Sequence, residues 1–569
     1  VVGMSTSSVT PVIKRGDGGL VPYDRGVVER YRADGLWSGA SLASELLAAA
    51  GKASDRRAVT TAEESLTYRE LFDRSILFAR GMASATGVRP GDAVMFQMGN
   101  TIETVVSYLG CLLAGIRPVC TLAQHGVREI GHLAGHIGAS VLLVQSDFAD
   151  GRLRGQAREL LATGSIATVI AARGPFGGAT DYAEILASGR NAGDTELPGL
   201  QADPEQIAVF QLSGGTTGLP KVAPRLHEEY AYNARAWAEA MNYRPSTTVV
   251  YPLPLMHNAG ISLALQAAIF AGAHLVLLPD ARIDGILDAL ETYPTASLPL
   301  VPPALAVRLL ETPRAAAVDC SSLSDFVVGG QRLPAEIAEQ LRDQLGIRVR
   351  QMFGMAEGMF TLTPADADED IRFHTVGAPI SAHDEVRVLE TESEEEVADG
   401  EVGEFCARGP YTIRGYYRAE AHNAAAFTAD GFYRTGDLAR RHIRNGKAVY
   451  SIDGRVKDVI NRGAEKIHAE EVEEIVVRHP DVANCALVAM ADRVLGEKAC
   501  AYLVMESGAT ALTVETLGEF LLAHGLAKYK LPERVEIVTE LPLTNVGKVS
   551  KKTLREDLAD RLRAEEERS

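Results

Sequence analysis

The chain has 569 residues, a formal net charge of -18, 46% hydrophobic and 23% charged residues; that length predicts two to four domains and excludes a stapled miniature scaffold, and that hydrophobic-to-charged balance excludes a disordered chain. The carboxylate surplus excludes broad wrapping of nucleic acid or an anionic membrane, yet it leaves room for a local anion pocket. Six cysteines (Cys111, Cys120, Cys320, Cys406, Cys485 and Cys500) lack CxxC spacing and read as reduced, buried thiols of a cytoplasmic protein.

Residues 1–34 read as a lead-in without the basic-then-apolar order of a signal peptide. From residue 35, "SLASELLAAAGKASDRRAVTTAEESLTYRELFDRSILFARGMA" predicts a helix, a short strand pair and a second helix. Apolar strands such as "DAVMFQM", "RPVCTL", "HLVLLP", "ASLPLVPP" and "SDFVVGG" then alternate with helical stretches. Strands separated by helices of ten or more residues predict parallel βαβ layering, so the fold class is α/β. The run "ISLALQAAIFAGAHLVLLP" is interrupted by Gly and His and reads as a buried helix followed by a strand; no membrane span is required.

Around residues 384–454 the pattern changes to short strands joined by Gly and Asp turns, "DEVRVLE", "GEFCARG", "GFYRTGD" and "AVYSIDG", which predicts an antiparallel subdomain of a large domain spanning 35–454. The stretch "TESEEEVADGE" reads as a solvated surface loop. Beyond "DGRVKD", helices at "HAEEVEEIVVRHP" and "TVETLGEFLLAHG" and strands at "NCALVAM", "KACAYLVM" and "RVEIVTE" predict a small α+β carboxyl-terminal domain, 455–569.

The stretch "LSGGTTGLPK", Leu212–Lys221, follows the apolar run "IAVFQ". Gly214, Gly215 and Gly218 permit close backbone approach to a ligand. Successive amides form an anion nest, Ser213, Thr216 and Thr217 add hydroxyl donors, and Lys221 adds charge. That set suits a polyphosphate, although it lacks the terminal Gly-Lys-Ser/Thr of a Walker A loop. "QMFGMAEG" supplies Glu357 as a carboxylate for a metal accompanying the phosphates. "YRTGD" supplies Asp437 for ribose hydroxyls, "DGRVKDVINRGAEKI" supplies Arg455 and Lys457, and "NVGKVSKK" supplies Lys548. Together these are the parts for activating a carboxylate on ATP, and the residues alone carry the reading as far as a nucleotide-using α/β enzyme.

The ordered set "LSGGTTGLPK", "QMFGMAEG", "YRTGD", "GRVKDVINRGAEKI" and "NVGKVSKK" resembles the acyl-adenylating superfamily over about residues 35–560. "LSGGTTGLPKVAPRLHEEY", "LPLMHN" and "GPYTIRGYYRAEAHNAAAFTADGFYRTGD" are most similar to the stand-alone aryl acid–AMP ligases, of the 2,3-dihydroxybenzoate–AMP ligase kind. The resemblance implies a carboxylate attacking the α-phosphate of Mg2+-bound ATP to form acyl-adenylate and pyrophosphate. Acyl transfer follows, to the phosphopantetheine thiol of a separate holo carrier protein. It assigns Ser213 through Lys221 to the polyphosphate, Glu357 to magnesium, and Asp437 and Arg455 to the ribose. Gly329, Gly330 and Gln331 line the adenine and aryl pocket, with Phe353 beside adenine. Lys548 contacts the substrate carboxylate and α-phosphate from an exposed position. Lys457 is the hinge about which the turn of Gly463 and Ala464 moves, and His257 lies near that changeover. A homodimer is compatible with the resemblance, though no interface pattern demonstrates one.

For the acid, the resemblance matches Asn258 to the amide meeting an ortho substituent. The dihydroxybenzoate pattern reads approximately "HNYPLSSP", whereas this chain reads "HNAGISLA". Ala259 replaces a Tyr, Leu263 replaces a Ser, and Met352 replaces a smaller apolar residue. The pocket is thereby reshaped. Salicylate, anthranilate, 3-hydroxyanthranilate, dihydroxybenzoate, 3-hydroxypicolinate and a quinaldate-type acid all stay open, with 3-hydroxyanthranilate favoured. Rival acceptors are coenzyme A, a hydroxyl or an amine; a non-enzymatic nucleotide sensor would not need Lys548.

Overall fold

The structure is a computed structural model, and it describes residues 18–213, 220–391, 393–444, 446–462, 465–492, 495–524, 526–544 and 548–566. Internal contacts divide the chain into two units. One comprises Val1–Leu362, Pro379–Asp384 and Arg408–Tyr433; the other comprises Thr363–Ala378, Glu385–Ala407 and Arg434–Ser569.

Two mixed sheets form the first unit. One runs in the order Phe360–Leu362, Val349–Gly354, Asp325–Gly329, Ser297–Val301, Thr248–Tyr251, His274–Leu277, Arg57–Thr60 and Ser65–Thr67. It is parallel through its middle, with an antiparallel pair at each of these ends. The other runs Ala179–Asp181, Thr168–Ala172, Val141–Gln145, Ala93–Gln97, Arg117–Val119, Ile207–Ser213 and Lys221–Leu226. Only its last pair is antiparallel. The parallel expectation therefore holds, for its stated reason: helices between successive strands return the chain to the same sheet end. They also cover both faces, so Ala93–Gln97 and Val141–Gln145 are buried at every position.

Local chemistry starts and stops the covering helices. Tyr68–Thr86 begins at Thr67, which forms a capping box with Glu70, and ends at left-handed Gly87. Against it packs Tyr182–Asn191, so closely that a Cβ on Gly189 would stand 1.9 Å from the Leu77 carbonyl oxygen. The run read as one buried helix is a π-helix over Gly260–Gln266 continuing into the α-helix Ala267–Ala271, followed by the strand His274–Leu277. All seven π-helical residues are buried, immediately after Asn258 and Ala259.

In the second unit, one sheet has the order Glu385–Leu389, Gly403–Arg408, Tyr433–Arg444 and Lys447–Arg455. The latter two form an antiparallel ladder that places Asp437 opposite Arg455. The other sheet has the order Glu465–His468, Val459–Arg462, Gly496–Met505 and Val482–Asp492, with Arg534–Ile537 parallel to Gly496–Met505. Helices Ala469–Val476, Val514–Ala523 and Lys551–Glu566 complete the unit. The acidic stretch is mostly exposed, as expected, but it is also tethered: Glu396 and Asp399 pair with Arg441, and Glu396 also pairs with Arg387.

All six cysteines are buried and unpaired. Among the described residues no helix is long and apolar enough to cross a membrane, and no group of three or more His, Cys, Asp or Glu could hold a metal ion.

Candidate active site

In the first unit the hairpin of Ile207–Ser213 and Lys221–Leu226 sets Ser213 opposite Lys221, at the two ends of the Gly/Thr-rich segment. Gly214, Gly215, Thr216, Thr217 and Gly218 lie outside the described residues, as do Gly463 and Ala464. Lys221 is half-buried; its Nζ stands 2.8 Å from His422 Nε2 and 4.9 Å from the centroid of the Tyr416 ring. Desolvation holds its ammonium below the ordinary lysine value, and the Glu357 carboxylate opposes that shift.

Glu357 is buried, and the Tyr416 hydroxyl donates to its Oε1. Tyr416 also shares a 2.7 Å hydrogen bond with the Tyr433 hydroxyl. Burial raises the Tyr416 phenol, and the Glu357 charge raises it further, so the phenol keeps its proton. The next residue, Gly358, has φ of 96°, and a Cβ there would stand 1.7 Å from the Tyr411 carbonyl oxygen. Only glycine allows this turn to place Glu357 against Tyr416. A buried carboxylate is the hard oxygen donor that Mg2+ takes alongside phosphate oxygens and water.

Asn258 belongs to a buried network that sequence reasoning missed. At its centre Arg225, fully buried, makes paired contacts to Glu229: Nε to Oε1 at 2.9 Å and Nη2 to Oε2 at 2.8 Å. The same guanidinium donates to the carbonyls of Ala356 and Tyr411, each at 3.0 Å, and to Asn258 Oδ1 at 3.4 Å. Gln211 donates to the Tyr230 hydroxyl, which donates in turn to Asn258 Oδ1; both distances are 2.9 Å. Burial lifts the Tyr230 phenol well above its ordinary value, so it keeps that proton. A guanidinium can only donate, so the Asn258 atom facing Arg225 is the oxygen. Its Nδ2 points the other way, 3.4 Å from the Met355 carbonyl.

Other expected pocket residues lie close by in the fold. Gly329 pairs in register with Met352 across parallel strands, and a Cβ on Gly329 would stand 2.5 Å from Met352 Cγ. Ala259, Leu263 and Met352 share one core cluster, in which Leu263 is fully buried. Phe353 is half-buried on the Met352 strand, with its amide donating to Thr361 Oγ1. Gly330, at φ of 86°, and Gln331 are exposed just past the Asp325–Gly329 strand. His257 Nδ1 accepts from the Ala259 amide at 3.3 Å, an N-terminal contact of the buried π-helical segment.

In the second unit Asp437 is buried and takes the Arg455 Nε at 3.0 Å. Lys457 is exposed in the short turn Val456–Asp458. Lys548 corrects one expectation: it is half-buried and not exposed. Desolvation holds its ammonium below the ordinary value, Arg455 adds to that shift, and Asp437 and Glu470 oppose it. Glu470, which the motifs did not flag, is raised to about 7 by burial, with Lys551 as the main opposing charge. Lys551, three residues beyond Lys548, pairs with Glu473 at 2.8 Å.

The family model for AMP-binding enzymes matches residues 46–417, and that for the AMP-binding enzyme C-terminal domain matches 471–548. The chain is 39% identical to a salicylyl-CoA synthase / salicylate adenylyltransferase of a Streptomyces species, over 95% of this chain and 97% of that protein. It is 36% identical to the 2,3-dihydroxybenzoate-AMP ligase of Bacillus subtilis, over 96% and 99%. The apo structure of MbtA from Mycobacterium smegmatis matches with a TM-score of 0.72 at 35% identity, over 95% of this chain and 99% of that one. With the fold, the ordered motifs and the full-length relatives in agreement, the chain belongs to the AMP-binding enzyme family, as an adenylate-forming ligase resembling the aryl acid–AMP ligases.

Proposed function

We propose that the protein uses Mg2+-bound ATP to adenylate an aryl carboxylic acid bearing an ortho hydroxyl, then passes the acyl group to the phosphopantetheine thiol of a separate carrier protein. One observation carries the choice of acid: Asn258 Oδ1 already accepts from Tyr230 and Arg225 and one N–H of Nδ2 donates to the Met355 carbonyl at 3.4 Å, so what the amide has left to offer a ligand is its second N–H donor. A hydroxyl oxygen accepts a hydrogen bond from that amide. An arylamine, whose lone pair is delocalised into the ring, does so poorly. The salicylate type is thus supported over anthranilate and 3-hydroxyanthranilate.

Ser213 and Lys221 bind the phosphates, Glu357 holds Mg2+, and Asp437 and Arg455 bind the ribose. Bound Mg2+ supplies charge neutralisation on the phosphates. Gly329, Gly330, Gln331, Met352, Phe353, Ala259 and Leu263 shape the adenine and aryl walls. The acid enters ionised, so no general base is needed and His257 acts at the changeover between half-reactions. Lys548 offsets the charge that develops as the carboxylate oxygen attacks the α-phosphate. A mobile domain from residue 455, with Lys457 as its hinge, exchanges Lys548 for the thiol-transfer surface.

Pyrophosphate exchange across a panel of acids tests this reading. Salicylate-type acids are expected to exceed benzoate and the ortho-amino acids by about tenfold or more in kcat/KM, the scale of one buried hydrogen bond. A faster reaction with anthranilate or 3-hydroxyanthranilate would overturn the choice of acid. Mass spectrometry of the holo carrier protein and of free coenzyme A, each offered alone, decides the acceptor.

A further inference from the structure

Lys221 is held from two sides by residues far away in sequence. His422 Nε2 lies 2.8 Å from its Nζ, and the Tyr416 ring lies beneath it. The His422 and Tyr416 rings are themselves 5.1 Å apart. An ammonium group has three donors and no acceptor, so Nε2 must present its lone pair. The ring is then neutral and carries its proton on Nδ1. Partial desolvation, reinforced by the Lys221 charge and opposed by Glu357, holds the imidazole below its ordinary value and supports that state. His422 is exposed on the short helix Glu420–Ala426, so its second nitrogen is accessible.

We propose that His422 is a phosphate-site residue in two respects: Nε2 positions the Lys221 ammonium, and Nδ1–H donates a hydrogen bond to the terminal phosphates of the nucleotide. This rests on the assignment of Lys221 to the polyphosphate made above. A lysine stem has four rotatable methylenes, and ordering it on a phosphate costs entropy. Seating the ammonium between an imidazole and a phenol ring orders it before the nucleotide arrives. The same imidazole adds a neutral donor, which binds phosphate oxygen without adding repulsion against Lys221 or Mg2+. No bond is made or broken by His422 itself.

His422→Leu and His422→Gln test the proposal. The Gln amide can accept from Lys221 through oxygen and donate through nitrogen, whereas Leu does neither. In pyrophosphate exchange, His422→Leu is expected to raise the KM for ATP and for pyrophosphate about tenfold, the scale of one hydrogen bond to a charged group. The KM for the acid and kcat should stay within about twofold, and His422→Gln should recover most of the loss. An unchanged ATP KM, a defect confined to the acid, or a Gln variant no better than Leu would overturn it. Calorimetric titration of each folded variant with Mg-ATP alone separates this from the proposed function. Weaker ATP binding in His422→Leu, with no acyl-adenylate from any acid in the parent protein, would refute the function and retain the site. Equal ATP binding in parent and variant, or none in the parent, would refute the site.

Discussion

The buried network around Asn258 and the charge cluster around Lys548 solve opposite problems. In the first, Arg225 and Glu229 are both buried, and the guanidinium donates to oxygens of Glu229, Asn233, Asn258, Ala356 and Tyr411. Such an arrangement has one low-energy geometry, because any other leaves a buried charge uncompensated. In the second, the Arg455 side chain is 42% exposed and Lys548 and Glu470 are half-buried, so water can replace each partner at modest cost. Rigid burial suits a residue that must present one fixed donor. A half-buried charge whose partners are not locked in place suits a lysine that must meet its substrate and leave it.

The largest expected effect breaks the first region. Arg225→Met should destabilise the protein by about 3–5 kcal/mol, read as a lower denaturant midpoint, because Glu229 is left buried and unpaired. If the loss is below about 1 kcal/mol, the pair is not what fixes Asn258. Lys548→Ala should break the second region differently, lowering adenylation by about 10²–10³-fold with a melting temperature close to the parent's. Equal exchange rates would remove Lys548 from the mechanism.

The smallest effect sharpens the contrast through pH. Glu470 titrates near 7 in the fold against an ordinary 4.5, so the folded state binds the extra proton between those values. Its contribution is full below pH 4.5 and is lost as pH rises through 7, a change of about 2 kcal/mol after solvent screening. Glu470→Gln should flatten stability between pH 5 and 8, measured as midpoints across that range. An unchanged slope would show that Glu470 is solvated like an ordinary carboxylate.

The residues of the candidate site were unequally legible. Lys221, Glu357, Asp437 and Arg455 stand in compact motifs, so type and spacing were enough to flag them. His422 was within sight in "RGYYRAEAHN", yet its partner is 201 residues earlier in the chain, and nothing local ties the two together. Arg225 and Tyr230 sit in "PRLHEEY" beside the recognised loop, but a buried ion pair looks like surface charge until packing encloses it. The final helix Lys551–Glu566 carries little sequence signal, because charged residues dominate it and, among its described side chains, only Leu554 and Leu558 are deeply buried.

Periodicity and turn chemistry are local properties, so the amino-acid order by itself determined the parallel layers, the antiparallel strands after residue 384 and the family's ordered motifs. Burial and hydrogen-bond direction are not local. Which way the Asn258 amide is turned, how far Lys548 is buried, and what holds Lys221 were decided only when distant segments packed, because each depends on which donors and charges the tertiary fold brings within a few ångströms.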